Sequence, residues 1–368
     1  MIMLAKQQLI ERRRAEGPEA KIVRAIQEAG PRNVRLLSRM TGIPVETVRY
    51  KIKQQLGRFG FRIHAEPNLW KLGLIPHWAK LSFENGCSDE LSVSILRRLN
   101  EIGYLTYFGR VVPNGYYLAQ FTLPVNADYN EVLSQLKSAH LLRDYSISEV
   151  VASRYLSMNP SYYDFLKGGW AVEWERLSNE TQTSEKMLGR VDPVRLDIQD
   201  LLIVKELQKD AMQRVAEIGS KLKLPSPMLR WHMQKHVSDL GLISNYSVRW
   251  MGDIDSTRQH SILLTWLTVK GLGNKDALKV SETISRIPFT WSEYILRNGD
   301  YSAVLCIPVE EATSTFSWMR RQLGSLDLQV GFFERNGGTE NYTTPYQMYT
   351  KDNGWVFEPR TIEEKMFD

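Results

Sequence analysis

The sequence has little cysteine and no long apolar run. Its two cysteines, Cys87 and Cys306, are far apart and fit no C-x-x-C pattern, which argues against a disulfide framework and a cysteine metal site. Nowhere do about 18 apolar residues follow one another, and the charged N-terminus lacks the apolar stretch of a signal peptide. We therefore expect a cytoplasmic protein with no membrane partner.

Motifs of common catalytic sites are also missing. We find no nucleophile elbow, no phosphate-binding loop and no paired carboxylates in a recognisable arrangement. The six histidines are His64, His77, His140, His232, His236 and His260. Of these, His232 and His236 alone share helical spacing, and we expect no third ligand or carboxylate near them. The prediction is therefore no metal, no cofactor and no enzymatic activity.

Positive charge is concentrated at the N-terminal end. Residues 1–71 contain 15 Lys and Arg but six Asp and Glu, a surplus of nine, whereas the whole chain carries +5. Clustered cations gain free energy by releasing counterions from a phosphate backbone, so this segment favours a polyanionic partner. A solvated basic face without a partner is the alternative.

The chain consists of two copies of one unit. TVRYKIKQQLGRFGFR (47–62) aligns without a gap with MLRWHMQKHVSDLGLI (228–243), at an offset of 181. Further pairs follow at offsets of 184 and 185: PNGYYLAQFTLPV (113–125) with RNGDYSAVLCIPV (297–309), and GGWAVE (168–173) with NGWVFE (353–358). A constant order with a slowly growing offset indicates a duplication followed by small loop insertions. We expect an exposed linker near residues 175–190.

Hydrophobic periodicity predicts the same elements in both copies. Three short helices come first (19–29, 33–41 and 44–57; 196–209, 214–223 and 226–238), followed by a strand pair or wing and a β-α-β-β-α-β succession. Asn114-Gly115 and Asn298-Gly299 predict two-residue hairpins with positive φ at both positions.

The fold class is therefore α+β, with two repeats that each join a winged helix-turn-helix to a ferredoxin-like domain. The expected boundaries are 18–71 and 191–250 for the helix-turn-helix units, 77–157 and 260–335 for the ferredoxin-like effector-type domains, 158–190 for an aromatic extension and linker, and 336–368 for an aromatic C-terminal extension.

The third helix of the first copy has an apolar and a polar face. Val45, Val48, Ile52 and Leu56 share the apolar face. The polar face is able to donate to phosphates and to reach base edges, and Gly42-Ile43-Pro44 forms the preceding turn of a helix-turn-helix. With Arg39 from the preceding helix, the candidate DNA-binding residues are Thr47, Arg49, Tyr50, Lys51, Lys53 and Gln54. Packing or protein contact is the alternative use of this helix.

The second copy presents a comparable but less basic surface. Its candidate DNA-binding residues are Arg230, Trp231, His232, Gln234 and Lys235. Residues 191–250 hold nine Lys and Arg against seven Asp and Glu, so a weaker grip on phosphates is expected. The sequence leaves open whether this unit contacts DNA.

Two segments resemble the leucine-responsive/asparagine-synthetase regulator (Lrp/AsnC) family. They are VETVRYKIKQQLGRFGFRIHAEPNLWKLGL and LDIQDLLIVKELQKDAMQRVAEIGSKLKLPSPMLRWHMQKHVSDLGLI, each followed by the β-α-β-β-α-β order. The resemblance implies a transcription regulator that binds double-stranded DNA and pairs its effector sheets. It also implies a small-molecule effector, with Asn114, Gly115, Asn298, Gly299 and Asp300 as speculative binding residues. The family's Gly-Asp-Tyr-Asp-like turn reads Gly-Tyr-Tyr-Leu and Gly-Asp-Tyr-Ser here, so its last acidic residue is absent.

An enzyme is the alternative on the same plan. Siroheme decarboxylases resemble these regulators, also occur as paired or fused copies, and would hold an acidic tetrapyrrole with basic and histidine side chains. The Tyr- and Trp-rich extensions favour neither reading, since such segments more often cap an apolar face than bind a ligand.

Duplication predicts that both partner sheets lie on one chain. The effector-type domains are expected to pack about a pseudo-twofold axis as an intrachain pseudo-dimer, with the helix-turn-helix units at opposite ends. The expected contacts are Trp78, Leu81 and Phe83 of the first copy and Leu264, Trp266 and Leu267 of the second. A homodimer that pairs each copy with its counterpart on another chain is the competing arrangement.

Overall fold

The computed structural model describes residues 17–58, 60–178, 187–250, 262–324, 326–334 and 338–367. His260 and residues 179–186 of the expected linker lie outside this part of the chain. Among the described residues, no helix is both long enough and apolar enough to cross a membrane.

The first copy has the predicted order of elements. Its helices and strands are α1 (Pro18–Ala29), α2 (Val34–Thr41), α3 (Val45–Tyr50), β1 (Arg62–Pro67), β2 (Leu74–Phe83), α4 (Asp89–Ile102), β3 (Leu105–Val112), β4 (Tyr116–Pro124), α5 (Asn130–Ser138) and β5 (Leu142–Tyr155). Helix α3 continues as a π-helical stretch, Lys51–Gln55, and a last turn, Leu56–Arg58. Local chemistry sets the ends of α2, because Asn33 caps its first turn and Gly42, at φ 71°, ends it.

An extension and the second copy follow. The extension contains β6 (Tyr163–Asp164), β7 (Gly169–Trp170), α6 (Trp174–Leu177) and β8 (Leu188–Gly189). The second copy contains α7 (Ile198–Lys209), α8 (Val215–Leu222), α9 (Ser226–His232), β9 (Ile243–Arg249), β10 (Ile262–Val269), α10 (Asn274–Ile284), β11 (Thr290–Leu296), β12 (Tyr301–Pro308), α11 (Ala312–Leu323) and β13 (Leu328–Phe333). A π-helical stretch, Met233–Ser238, continues α9. The C-terminal extension adds β14 (Thr339–Asn341), β15 (Tyr349–Thr350), β16 (Gly354–Trp355) and α12 (Pro359–Phe367).

The ferredoxin-like strands of both copies form one closed sheet. Its order is β11-β12-β10-β13-β3-β4-β2-β5, and β5 pairs in turn with β11. The two joins between copies, β13 with β3 and β5 with β11, are antiparallel. A closed sheet has no free edge strand, so the effector-type domains complete each other within the chain, as the pseudo-dimer prediction expects.

The aromatic contacts across this junction follow strand alternation. Trp78 and Trp266 meet with ring centroids 4.6 Å apart, and Leu264 packs against the same shared core. The predictions for the other three residues were wrong: Leu81 and Phe83 pack in the first copy's helical core, and Leu267 in the second's. Successive side chains of a strand point to opposite faces, so residues an odd number apart cannot share the junction.

A buried ion pair lies at the β5–β11 join. Arg154 Nη2 is 2.6 Å from Glu293 Oε2, and the two side chains are 5% and 0% exposed. Arg154 also donates to Ser281 Oγ at 3.1 Å, and the Tyr301 hydroxyl donates to Glu293 Oε1 at 2.5 Å. Burial raises the pKa of Glu293 and the positive charge of Arg154 opposes that shift. The pair therefore connects the two halves where solvent cannot screen it.

The expected wings pair with each other rather than within their own copies. Strand β1 runs antiparallel to β9, with His64 opposite Ser247. The helix-turn-helix units therefore share a two-stranded sheet, and the expectation that they lie at opposite ends was wrong. Ile63 and Val248, on one face of this sheet, are buried with the first helix-turn-helix. Two strands from different copies bury that apolar face without needing a third strand.

Each extension packs on the other copy. Trp170 lies with its ring centroid 4.8 Å from that of Phe289 in the second copy. Trp355 Nε1 donates to the Leu72 carbonyl of the first copy at 2.6 Å, and Ile362 is buried in the first copy's core. Both aromatic segments thus cover apolar surface, and they intertwine the two halves.

The two Asn-Gly hairpins differ from the prediction. The loops between the paired strands contain three residues (113–115) and four residues (297–300). Gly115 and Gly299 have φ of 72° and 84°, whereas Asn114 and Asn298 do not have positive φ. A longer loop with glycine at its one left-handed position replaces the two-residue turn.

The buried ion pair generates a stability prediction. We expect Arg154→Ala to lower the free energy of unfolding by about 3–5 kcal/mol, because Glu293 would remain buried without its partner. Arg297→Ala is the matched control. Arg297 forms an ion pair with Glu149 at 2.6 Å at the same β5–β11 join, but its side chain is 62% exposed. Exposed ion pairs contribute about 0–1 kcal/mol to stability. Urea unfolding followed by circular dichroism measures both. Equal losses in the two variants would contradict a special role for the buried pair.

Candidate functional site

The third helix of the first copy presents most of its predicted residues to solvent. Thr47, Arg49, Tyr50, Lys53 and Gln54 are exposed, as is Arg39 on α2. Arg49 pairs with Glu46 at 2.5 Å along the helix, with both side chains exposed, so a phosphate or base is able to replace Glu46 at little cost. This surface combines cations, amide and hydroxyl groups with the Tyr50 ring, which is 58% exposed.

Lys51 was wrongly assigned to this surface. Its Nζ lies 2.5 Å from Glu19 Oε1 of α1, and the two side chains are 14% and 11% exposed. Lys51 borders the apolar face of the helix and is thus turned towards α1. Lys51 therefore connects the third helix to α1 and is not part of the solvent-exposed face.

The corresponding helix of the second copy is only partly available. Arg230, Trp231, Gln234 and Lys235 are exposed, and Trp231 occupies the position of Tyr50 in the alignment. Gln234 and Lys235 both bind Asp239, at 2.8 and 3.2 Å. His232 is 5% exposed, so its assignment to the DNA-binding surface was wrong.

His232 and His236 also contradict the expectation that no carboxylate lies near them. Asp197 and Asp200, at the start of α7, approach both rings, and the four side chains offer ligand atoms within 4.8 Å of one another. The carboxylates are more than 30 residues away in sequence, which is why helical spacing alone did not reveal them.

A cavity of about 640 Å³ lies between the two-stranded β1–β9 sheet and the closed sheet. Residues of β1, β2, β3, β4 and β5 from the first copy and of β9, β10, β11 and β12 from the second line it. Its volume is in the range of small-molecule sites, which is about 300–1,000 Å³. Neither copy could form this cavity alone.

The β1–β9 sheet turns a row of polar residues towards the cavity. His64 and Glu66 alternate with the buried Ile63 and Ala65, and Arg249 lines the cavity from β9. His64 Nδ1 is 2.9 Å from the Gln208 carbonyl, which can only accept, so Nδ1 carries the proton and Nε2 remains for other contacts. Burial raises the pKa of Glu66, and the nearby charge of Arg249 opposes the shift.

Two indole N–H groups in the cavity wall have no acceptor. Trp78 and Trp250 are 5% and 3% exposed, and among the described residues neither Nε1 has a hydrogen-bond partner. A buried donor without an acceptor costs about 1–3 kcal/mol. Both nitrogens are themselves buried, so within the described residues the wall leaves these two donors unsatisfied.

Aromatic rings form much of the remaining wall. Tyr155 and Tyr294 lie with ring centroids 6.4 Å apart, and Arg249 covers the Trp291 ring at 4.6 Å. Burial raises the pKa of Tyr294 to about 12 and that of Tyr155 well above its ordinary value, so both hydroxyls stay protonated as donors. The cavity wall therefore combines aromatic rings with protonated Tyr hydroxyls and the Arg249 guanidinium.

The turn residues proposed for effector binding lie elsewhere. Asn114, Gly115, Asn298, Gly299 and Asp300 are in the hairpin loops, and none lines the cavity. Asp300 is already used locally, because it accepts hydrogen bonds from Gly271 N and Asn298 Nδ2, both at 3.0 Å. For these residues effector binding remains a prediction.

No model of a known protein family matches the sequence, and no curated protein matches it. Among solved structures, the siroheme decarboxylase NirDL superposes with a TM-score of 0.55 at 12% identity, over 95% of this chain and 99% of that chain. NirDL in co-complex with an iron-uroporphyrin III analogue gives a TM-score of 0.52 at 11% identity, over 89% and 95%. An AsnC family transcriptional regulator from Agrobacterium tumefaciens gives 0.31 at 21% identity, over 40% of this chain and 95% of that chain.

These similarities concern the fold. Nearly the full length of the chain shares the plan of NirDL, two helix-turn-helix and ferredoxin-like repeats on one polypeptide. The regulators match one part of the chain. The chain thus has a tandem arrangement of helix-turn-helix and ferredoxin-like units, as NirDL does.

Proposed function

We propose that the protein is a DNA-binding transcription regulator that binds duplex DNA mainly through α3 and responds to a small molecule in the central cavity. The observation that carries the proposal is the solvent-exposed face of α3, where Arg49, Lys53 and Tyr50 stand together in the most basic part of the chain. Interleaved cations and polar groups are what phosphate contacts and base readout require. The second unit would bind DNA more weakly, because residues 191–250 carry nine Lys and Arg against seven Asp and Glu and Lys235 is paired with Asp239.

The cavity supports the effector part of the proposal. Arg249 and Lys209 offer positive charge to an anionic ligand. The same β1 and β9 strands that line the cavity also pack on the helix-turn-helix helices. A ligand there would act on the strands that hold the DNA-binding units.

A siroheme-decarboxylase-like enzyme or tetrapyrrole-binding protein is the second candidate. It is favoured by the full-length similarity to NirDL and by the position of the cavity between the two halves. The cavity lining argues for the regulator, because Lys209, Arg249 and His64 are few cations for an acidic tetrapyrrole and Glu66 stands beside them.

Duplex DNA binding is the first test. We expect the logarithm of the affinity to fall with the logarithm of the salt concentration, by about 0.9 for each phosphate neutralised, as measured by fluorescence anisotropy. Lys53→Gln, which installs the residue that the second copy has at this position, should weaken binding to all sequences and reduce the slope by about 1. Arg49→Ala should cost about 1–3 kcal/mol of sequence preference if Arg49 reads a guanine.

Lys167→Gln is the control for charge alone, because this side chain is 86% exposed and lies on the extension. It should leave affinity and slope unchanged. Undetectable binding of the wild type at low ionic strength, or an equal loss in the Lys53 and Lys167 variants, would refute binding through α3.

Ligand binding in the cavity should depend on the protonation of Glu66. The anionic aromatic dye 1-anilinonaphthalene-8-sulfonate is a suitable probe, because its fluorescence rises in apolar surroundings. Since burial raises the pKa of Glu66, the neutral acid persists above its ordinary range, and its carboxylate forms as the pH rises through the raised value. The added negative charge should then lower dye affinity by roughly tenfold.

Glu66→Gln should remove this pH-dependent loss, whereas Glu101→Gln, on the exposed surface of α4, should retain it. A dye affinity with the same pH dependence in all three proteins would place the dye outside the cavity.

Addition of siroheme separates the two candidate functions. For the regulator we expect no change in the siroheme absorption spectrum and no release of carbon dioxide. A stoichiometric spectral shift that is lost in Arg249→Gln would favour the tetrapyrrole-binding candidate instead.

A further inference from the structure

The two copies hold their helix-turn-helix helices together with different chemistry at the same place. At the repeat offset of 181, Glu19 corresponds to Asp200 and Lys51 to His232. The first copy has the Glu19–Lys51 ion pair, with a separation of 2.5 Å. The second copy has a four-residue cluster of Asp197, Asp200, His232 and His236. A simple ion pair has thus been replaced by a set of nitrogen and oxygen ligands.

The ligand atoms of the cluster lie within 4.8 Å of one another. His232 Nδ1 lies 2.8 Å from Asp200 Oδ1 and 3.9 Å from Asp197 Oδ2. His236 Nδ1 lies 3.0 Å from Asp200 Oδ1. Four ligands about 2.0–2.1 Å from a tetrahedral zinc ion are about 3.3 Å from one another, so these atoms are already near the required separation.

We propose that Asp197, Asp200, His232 and His236 bind a divalent transition-metal ion, with Zn²⁺ as the reference ion. Imidazole and carboxylate are ordinary zinc ligands, and two carboxylates balance the charge of the ion. A ligating imidazole nitrogen must be unprotonated, so binding through Nδ1 would require the proton shared with Asp200 to move to Nε2 or to solvent.

The start of α7 already orients both carboxylates. Asp197 Oδ1 accepts from Asp200 N at 2.9 Å, and Asp200 Oδ2 accepts from Asp197 N at 3.2 Å. In this reciprocal capping box Asp197 Oδ2 and Asp200 Oδ1 are not used by the cap, whereas Asp200 Oδ2 accepts from Asp197 N and also lies 2.9 Å from His236 Nδ1. Outer hydrogen bonds of this kind fix the direction of metal ligands.

The cluster is buried on one side and open to solvent on the other. Asp200 and His232 are buried, while Asp197 and His236 are partly exposed, with side-chain exposures of 47% and 28%. The exposed side gives a route for metal exchange. The Trp231 ring lies with its centroid 5.0 Å from that of His232 and 4.6 Å from that of His236, so its fluorescence reports on the site.

The ion would connect α7 to α9 as the Glu19–Lys51 pair connects α1 to α3. It would make the position of the second recognition helix depend on metal. Metal binding by this cluster does not depend on DNA binding by either helix-turn-helix unit.

The test is titration of the full-length chain, without a histidine tag and after EDTA treatment, with Zn²⁺ in a calorimeter. We expect one ion per chain and a melting temperature that rises with zinc concentration. Two variants keep the fold while removing one ligand each: His236→Gln and Asp197→Asn, the latter because asparagine is also a good N-cap. Each should lose at least about tenfold in zinc affinity and keep the wild-type melting temperature in EDTA.

His140→Gln, at an exposed loop position far from the cluster in sequence, is the matched control and should bind zinc like the wild type. With Co²⁺ as the probe, the wild type should develop visible absorption bands and quench Trp231, and Trp231→Phe should lose the quenching only. No saturable zinc binding at about 100 μM would overturn the proposal, because a site that weak would not stabilise the fold. Wild-type affinity in both ligand variants, or an equal loss in the His140 variant, would overturn it as well.

Discussion

The pairing of β5 with β11 is the constraint on which the rest of the structure depends, and Arg154 and Glu293 are its most demanding contact. Two buried charged side chains are tolerated only when they pair with each other and their other polar atoms also form hydrogen bonds. Ser281 and Tyr301 supply those bonds here. A slip of the register by one residue would turn Arg154 to the opposite face of the sheet and leave Glu293 alone. The buried pair thus specifies one alignment of the halves as well as holding them together.

Covalent fusion changes what such a junction permits. In a symmetric homodimer every substitution appears twice, so a residue cannot be basic in one half and neutral in the other. In this chain Lys53 of the first copy aligns with Gln234 of the second. The Glu19–Lys51 ion pair likewise aligns with Asp200 and His232. The closed sheet keeps the halves together while their helix-turn-helix units diverge. One unit has the Glu19–Lys51 ion pair, and the other has the cluster of Asp197, Asp200, His232 and His236.

The sequence predicted the helices, the β-α-β-β-α-β order and the duplication, because each follows from local periodicity or from self-similarity. Prediction failed for residues whose contact partners are distant in the sequence. Lys51 lies beside the apolar face of its helix, and only the position of Glu19 decides that it turns inwards. His232 and His236 were recognised as a helical pair, but Asp197 and Asp200 come from another helix. A wing strand shows the same alternation of apolar and polar residues whichever strand it pairs with. The β1–β9 sheet and the cavity beneath it therefore could not be derived from the sequence.

The β1–β9 sheet also gives the proposed function a physical route. A strand has two faces that alternate by one residue, so His64 and Glu66 line the cavity while Ile63 packs with the helices of the first helix-turn-helix. A two-stranded sheet has no third strand to absorb a displacement. A ligand that supplies a counter-charge to Arg249 would move or stiffen strands whose other face supports both helix-turn-helix units. Because β1 and β9 come from different copies, such a change would alter the position of one helix-turn-helix unit relative to the other.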